Sequence, residues 1–259
     1  MSASDATVAR TLGRFVAEAA WPDLPAAMIH EAKRALLNFV GCALSAADQA
    51  AIDTAVRVLQ PFSGATTASL IGRGERLDAM AAAFVNAVAS NLMDYDDTHL
   101  PTVIHPTAPV AAPALALGER DHLSGARVLH AFVLGAEVEC RIGNAVTPGH
   151  YARGWHITST CGVFGSAVAA AKLLGLDAEQ TAHALGIAAS QSAGSVESLT
   201  NGAKNVSVGN AARNGIFAAL LAGQGYTAAA MSIEGKLGWA RSMGDAPNLA
   251  AMTGGLGRN

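Results

Sequence analysis

The sequence predicts an all-α protein, and three features point to it. Hydrophobic residues fill 51% of 259 positions while aromatics fill only 5%. The apolar content is therefore mostly alanine, about a fifth of the chain, the strongest helix former and a close packer of helices. Apolar residues recur at helical spacing, and aspartates stand where helix N-caps are wanted. Seventeen Lys+Arg against twenty Asp+Glu give a net charge of −3. That balance excludes a disordered chain, which needs low hydrophobicity and high net charge. A nucleic-acid binder needs a basic excess or stripe, and neither exists here. Residues 1–259 read as one domain, long enough to bury a core and near the upper limit for a single one.

The elements follow in order. Ser4 is the expected cap of a first helix that the Trp21-Pro22 step ends near Ala20. A second runs from Pro25 to Ala46, with Met28, Ala32, Ala35, Leu36, Phe39 and Val40 along one face. Asp48 caps a third that stops near Pro61. The Gly- and Thr-rich stretch 63–77 breaks the helical pattern, with a short extended piece at Ala68–Ile71. Asp78 then caps a helix so poor in charge that it belongs at the centre, running into Asp94. After a Pro-rich loop, Thr98 to Pro109, helices are expected at Pro109–Glu119 and Ser124–Val146. A second loop, Thr147–Thr158, precedes helices at Ser159–Leu174 and, capped by Asp177, at Ala178–Ala193. A third loop, Gly194–Asn205, leads into a helix to Gly223. The remainder, to Asn259, is Gly-rich and weakly patterned, as if something should follow.

Cys42, Cys140 and Cys161 are odd in number and widely spaced, without a C-x-x-C or His/Cys zinc pattern. A disulfide scaffold and a zinc site are both disfavoured, and a reduced, cytoplasmic chain is expected. The opening MSASDATVAR lacks the basic and apolar regions of a signal peptide. Segments Thr98–Gly118 and Asn214–Ile233 approach spanning length, but prolines, histidines and amides interrupt them. They read as buried helices, so no membrane partner is expected.

Chemistry concentrates in the three loops. The first holds Asp94, Asp96, Asp97, Thr98, His99 and His105. As a calcium loop begun at Asp94 it fails, with His99 in place of the required Gly and His105 in place of the closing Glu. Acids there also serve as ordinary caps and turns; what points beyond that role is their company of two histidines and a threonine. The second loop carries Arg153, His156 and Thr158 just ahead of a Gly/Ala-rich helix, and a helix N-terminus favours anions. In the third, Lys204 sits among small uncharged neighbours, where an ammonium can be partly buried.

These segments together resemble the MmgE/PrpD family, whose members include 2-methylcitrate dehydratase, cis-aconitate decarboxylase and iminodisuccinate epimerase. The matching stretches are DYDDTH-x5-HP at 94–106, GWHITSTCG at 154–162 and K-x4-G-x-AARNG at 204–215. EGKLGW at 234–239 and LNFVG at 37–41 also fit. The resemblance implies an all-α MmgE/PrpD-type helical domain, usually in a homodimer, working without cofactor or metal on small di- or tricarboxylates. Carried over residue by residue, the catalytic set is Asp94, His105, His156 and Lys204, with Thr98, Arg153, Thr158 and Ser207 as substrate-binding residues. Removing a proton beside a carboxylate calls for a base, most often His. The charge that develops calls for fixed cations and donors, such as Lys204 or a protonated His. The sequence leaves open which histidine is base and which is acid.

Three departures accompany the resemblance. Ile157 replaces a proline that usually follows the second-loop histidine, and Ser207 stands where the family often has His. Family members also carry a C-terminal α+β lid domain, and nothing in this chain matches it. The expected function is a lyase (dehydratase or decarboxylase) or an epimerase. The alternative is a non-catalytic helical subunit, or half of a two-chain enzyme that needs a separate C-terminal partner chain.

Overall fold

A computed structural model describes residues 7–257. Helix α1 (Val8–Glu18) is capped by Thr7, whose hydroxyl accepts from the Arg10 amide; Ser4 lies outside the described residues. Helix α2 (Ala26–Ala46) buries Ala32 and Phe39, with Ala35, Leu36 and Val40 partly covered, while Met28 stays exposed. Helix α3 (Ala50–Leu59) starts one residue later than expected. Gln49 is its N-cap, using only its carbonyl, which accepts from the Ile52 and Asp53 amides. Asp48 remains in the turn before it. The Gly/Thr-rich stretch supplies an antiparallel pair, β1 (Ala68–Ser69) and β2 (Arg76–Leu77).

Asp78 caps α4 (Ala79–Leu92), accepting from the Met80 and Ala81 amides. Helix α5 (Thr107–Arg120) begins two residues earlier than expected. Pro109 falls in its first turn, where the missing N–H would have had no helical partner. Helix α6 (Gly125–Val146) is capped by Ser124. The second loop contains a short α7 (Gly149–Ala152) before α8 (Ile157–Leu174). Asp177 and Gln180 form a capping box on α9 (Ala178–Ser190). Helix α10 (Ala203–Gly223) follows, and the weakly patterned tail folds into α11 (Trp239–Met243) and α12 (Leu249–Thr253).

Helix α8 is the hub, packed against α5, α6, α9 and α10, while α10 also packs on α4. By length and composition alone α8 could cross a membrane, but almost all of it is buried in the bundle. Its small residues explain the close approach. A Cβ at Gly215 of α10 would stand 2.2 Å from Ser166 Oγ, so the two helices touch where neither carries bulk. The helix-to-helix contacts at this hub set the positions of the second and third loops, because the second feeds directly into α8 and the third into α10.

Inside the hub, Glu139 of α6 is fully buried, and neither carboxyl oxygen has a partner among the described residues. Its carboxyl faces Gly162 and Gly165 of α8, where an added Cβ would lie 3.4 and 2.8 Å from the two oxygens. Burial, helped by the charge of Asp97, pushes its pKa well above the ordinary value of 4.5. Below that value the group is protonated both folded and unfolded and distinguishes neither state. Above it the unfolded chain releases the proton while the folded chain keeps it. Stability therefore falls as pH rises, by up to about 1.4 kcal/mol per pH unit, until the folded carboxyl also ionises. Glu139→Gln removes this dependence. Urea unfolding of both forms at pH 5, 6 and 7 should show the variant's relative stability growing with pH; a constant difference would contradict the assignment.

Candidate active site

The three polar loops meet at the N-terminal ends of α8 and α10. Backbone contacts zip the second loop to the third: His156 N–H donates to Gly194 O at 3.1 Å, and Val196 N–H to Gly154 O at 2.8 Å. The first loop joins through Thr158, whose hydroxyl accepts from the His105 amide at 3.1 Å. Two long helices thus point their positive ends at one spot, a favourable place for carboxylates.

Lys204, in the first turn of α10, is buried and donates to Asp94 Oδ1 at 2.6 Å. Asp94 reaches back from just past the end of α4 because its backbone is left-handed, φ 59°, a region Asp tolerates better than most residues. The Lys204 ammonium holds the Asp94 carboxyl below its ordinary range. His105 Nδ1 lies 3.3 Å from Asp96 Oδ1 and 3.5 Å from Thr98 Oγ1. Asp96 is buried and fixed in turn by Asn91, which donates to its other oxygen at 2.8 Å. His156 is buried, with Nδ1 at 3.3 Å from Ser207 Oγ and 3.2 Å from Ser159 Oγ.

The two histidines are poised in opposite directions. Burial opposes the charge on His105, but hydrogen bonding to Asp96 and the charges of Asp96 and Asp94 outweigh it, and its pKa rises above 6.5. Burial lowers His156, the positive charges of Lys204 and His105 add to it, and the result is about 4. Near neutral pH one imidazole is held toward its protonated form and the other is neutral. Pairs of titratable groups driven apart by their surroundings mark acid and base roles.

Six of the eight residues picked out in the sequence gather here: Asp94, Thr98, His105, His156, Lys204 and Ser207. Thr158 is adjacent but fully buried, its oxygen engaged with the first loop's backbone. Arg153 is turned elsewhere, its guanidinium 3.6 Å from Asp245 beyond α11. The sequence pointed to Asp96 in the first loop without a role for it, and gave no prominence to Asn91, Asn205 and Ser159. Asn205 donates to Asn91 O at 2.8 Å and ties α10 to the end of α4. A polar residue within the apolar run of α4 was the available signal for Asn91.

Asp94, Asp96 and His105 also bring possible ligand atoms within 4.8 Å of one another. The donor set fits a cation poorly. Asp94 Oδ1 already binds an ammonium, and a metal requires neutral imidazole where His105 is held toward imidazolium. These atoms suit proton transfer next to an anionic substrate.

The model of the MmgE/PrpD N-terminal domain matches residues 10–251. A cis-aconitate decarboxylase-like protein of Aspergillus oryzae is 33% identical over 87% of this chain and 48% of its own length. The cis-aconitate decarboxylase of Aspergillus terreus is 33% identical over 80% of this chain and 44% of its own. The human cis-aconitate decarboxylase is 34% identical over 75% and 42%, respectively. The chain spans about half the length of these relatives. By its fold and by these matches, the chain belongs to the MmgE/PrpD family and forms that family's helical N-terminal domain.

Proposed function

We propose that this chain carries the proton-transfer machinery of a lyase that acts on a small tricarboxylate of the cis-aconitate type without a cofactor. The observation that supports it most is the opposite poise of His105 and His156 at two converging helix N-termini. Lys204 and the helix ends hold substrate carboxylates. When a bond beside a carboxylate breaks, the electron pair left behind spreads onto that carboxylate, and nearby positive groups stabilise it. Loss of CO2 leaves a pair on carbon that needs one proton, and His105 supplies it from Nε2. Loss of water needs a base and an acid together: His156 Nε2 removes the proton beside the carboxylate, and His105 protonates the departing hydroxyl. Decarboxylation is the favoured reaction because the relatives matched over most of this chain are cis-aconitate decarboxylases. The proposal includes a homodimer, as the family resemblance implies.

Proton NMR of cis-aconitate incubated with the purified chain in D2O tests this directly. The expected result is release of CO2 and a product carrying deuterium at the carbon that was protonated. Hydration with no loss of CO2 would turn the assignment to a dehydratase. No reaction by the chain alone, with activity on adding a separate chain matching the rest of the relatives' length, would identify it as half of a two-chain enzyme. Inertness under both conditions would overturn the reading.

A further inference from the structure

The surroundings of His156 bear on which of its nitrogens carries the proton. Two hydroxyls face Nδ1, Ser159 Oγ at 3.2 Å and Ser207 Oγ at 3.3 Å. Each also lies at a shorter distance from a backbone carbonyl. Ser207 donates to Lys204 O at 2.7 Å, and Ser159 donates to His156 O at 3.0 Å. A hydroxyl has one proton, and a carbonyl can only accept. With both protons committed to carbonyls, the serines can offer only lone pairs to the ring, so Nδ1 must be the donor. Nε2 has no hydrogen-bond partner among the described residues, and it is not sealed from solvent.

The third loop enforces the arrangement. Gly194 accepts the His156 amide and has φ +139°, a conformation that L side chains rarely adopt. A Cβ there would stand 2.0 Å from Ser159 Oγ and 3.2 Å from Ser207 Oγ, so the glycine's bare α-carbon is what lets both hydroxyls close on one face of the ring.

We infer that Ser159 and Ser207 are positioning residues that lock His156 in the tautomer with its proton on Nδ1, leaving the Nε2 lone pair free to act as the base. This rests on the reading of His156 as the base, but the geometry is independent of which carboxylate reacts. The tautomer of a histidine is set by the hydrogen bond its other nitrogen makes, and here two acceptors make that bond from helix α8 and helix α10 at once. Ser207 thus serves the ring and the α10 backbone, in place of the direct substrate contact expected from its position in the sequence.

The test is long-range proton–nitrogen NMR of the ring nitrogens in the unliganded chain at pH 7, with His156 assigned by comparison with His156→Gln. Wild type should show a protonated-type Nδ1 and an unprotonated-type Nε2. The Ser159→Ala/Ser207→Ala double variant should lose that pattern and show averaged or exchanged nitrogen shifts, and turnover in the loss of water should fall about 3–10-fold at unchanged KM. Ser207→Thr, which keeps a hydroxyl, should retain the wild-type shifts if the double variant is poorly folded and cannot be read. A wild-type ring protonated on Nε2, or a folded double variant with unchanged nitrogen shifts, would overturn the inference. A chain that shows the expected tautomer but never turns over a carboxylate would overturn the functional proposal and leave the tautomer lock standing.

Discussion

Lys204→Ala should reduce turnover of a tricarboxylate by about 10²–10³-fold, the range found when one preorganised donor to developing charge is removed. Two effects combine. The buried ammonium proposed to face the substrate's carboxylates disappears, and Asp94 loses the partner 2.6 Å away that holds its carboxyl below the ordinary range. With no cation beside it, the Asp94 pKa rises toward its ordinary value. The His156 pKa should rise as well, because the Lys204 charge is one of the causes holding it near 4. NMR titration of the His156 ring in the variant reads the second effect without any substrate. A loss of turnover below tenfold, with the His156 titration unmoved, would remove Lys204 from the site. Lys204→Arg tests placement as well as charge: a planar guanidinium cannot reproduce a point charge in so small a buried space, so it should recover only part of the activity.

His156→Gln should cost the loss of water about 10²–10⁴-fold, the usual contribution of a positioned acid or base, and the loss of CO2 far less, because that step asks only for the proton from His105. In the wild type its role also predicts the shape of the pH profile. In the loss of water the base must be unprotonated, so kcat/KM for that reaction should rise through a pKa of about 4. The acid must be protonated, so activity should fall again above pH 6.5, at the raised pKa of His105. The plateau lies between them. Asp96→Asn removes the charge that lifts His105 and should move the falling limb to lower pH while leaving the rising limb near 4. A falling limb unaffected by Asp96→Asn would take the acid role away from His105.

Much of this molecule is written locally. Asp78, Ser124 and Asp177 cap helices where they stand, because an N-cap needs only its own side chain and the next two or three amides. The expectation of a short extended piece near Ala68 holds for the same reason: a run of Gly and Thr does not sustain a helix. The misplaced boundaries are those set from a distance. Asp48 had a cap's chemistry, yet the chain enters α3 at Gln49. Pro109 looked like a helix start and instead lies inside the first turn of α5. The polar loops, too, were legible as loops, and their residues as acid, base and cation types.

What the sequence alone determined is the inventory: an alanine-rich helical bundle, its caps, loops carrying Asp94, His105 and His156, and Lys204 close to the third loop. What only the tertiary structure decided is which nitrogen does what. Two histidines with the same intrinsic pKa part company because one is half-buried beside Asp96 and the other is buried near Lys204. They stand on different loops, brought together by contacts at α8 that no local pattern encodes. A pKa and a tautomer belong to the surroundings of a side chain, and those surroundings are assembled only when residues more than a hundred positions apart, such as Asp94 and Lys204, come within hydrogen-bond reach.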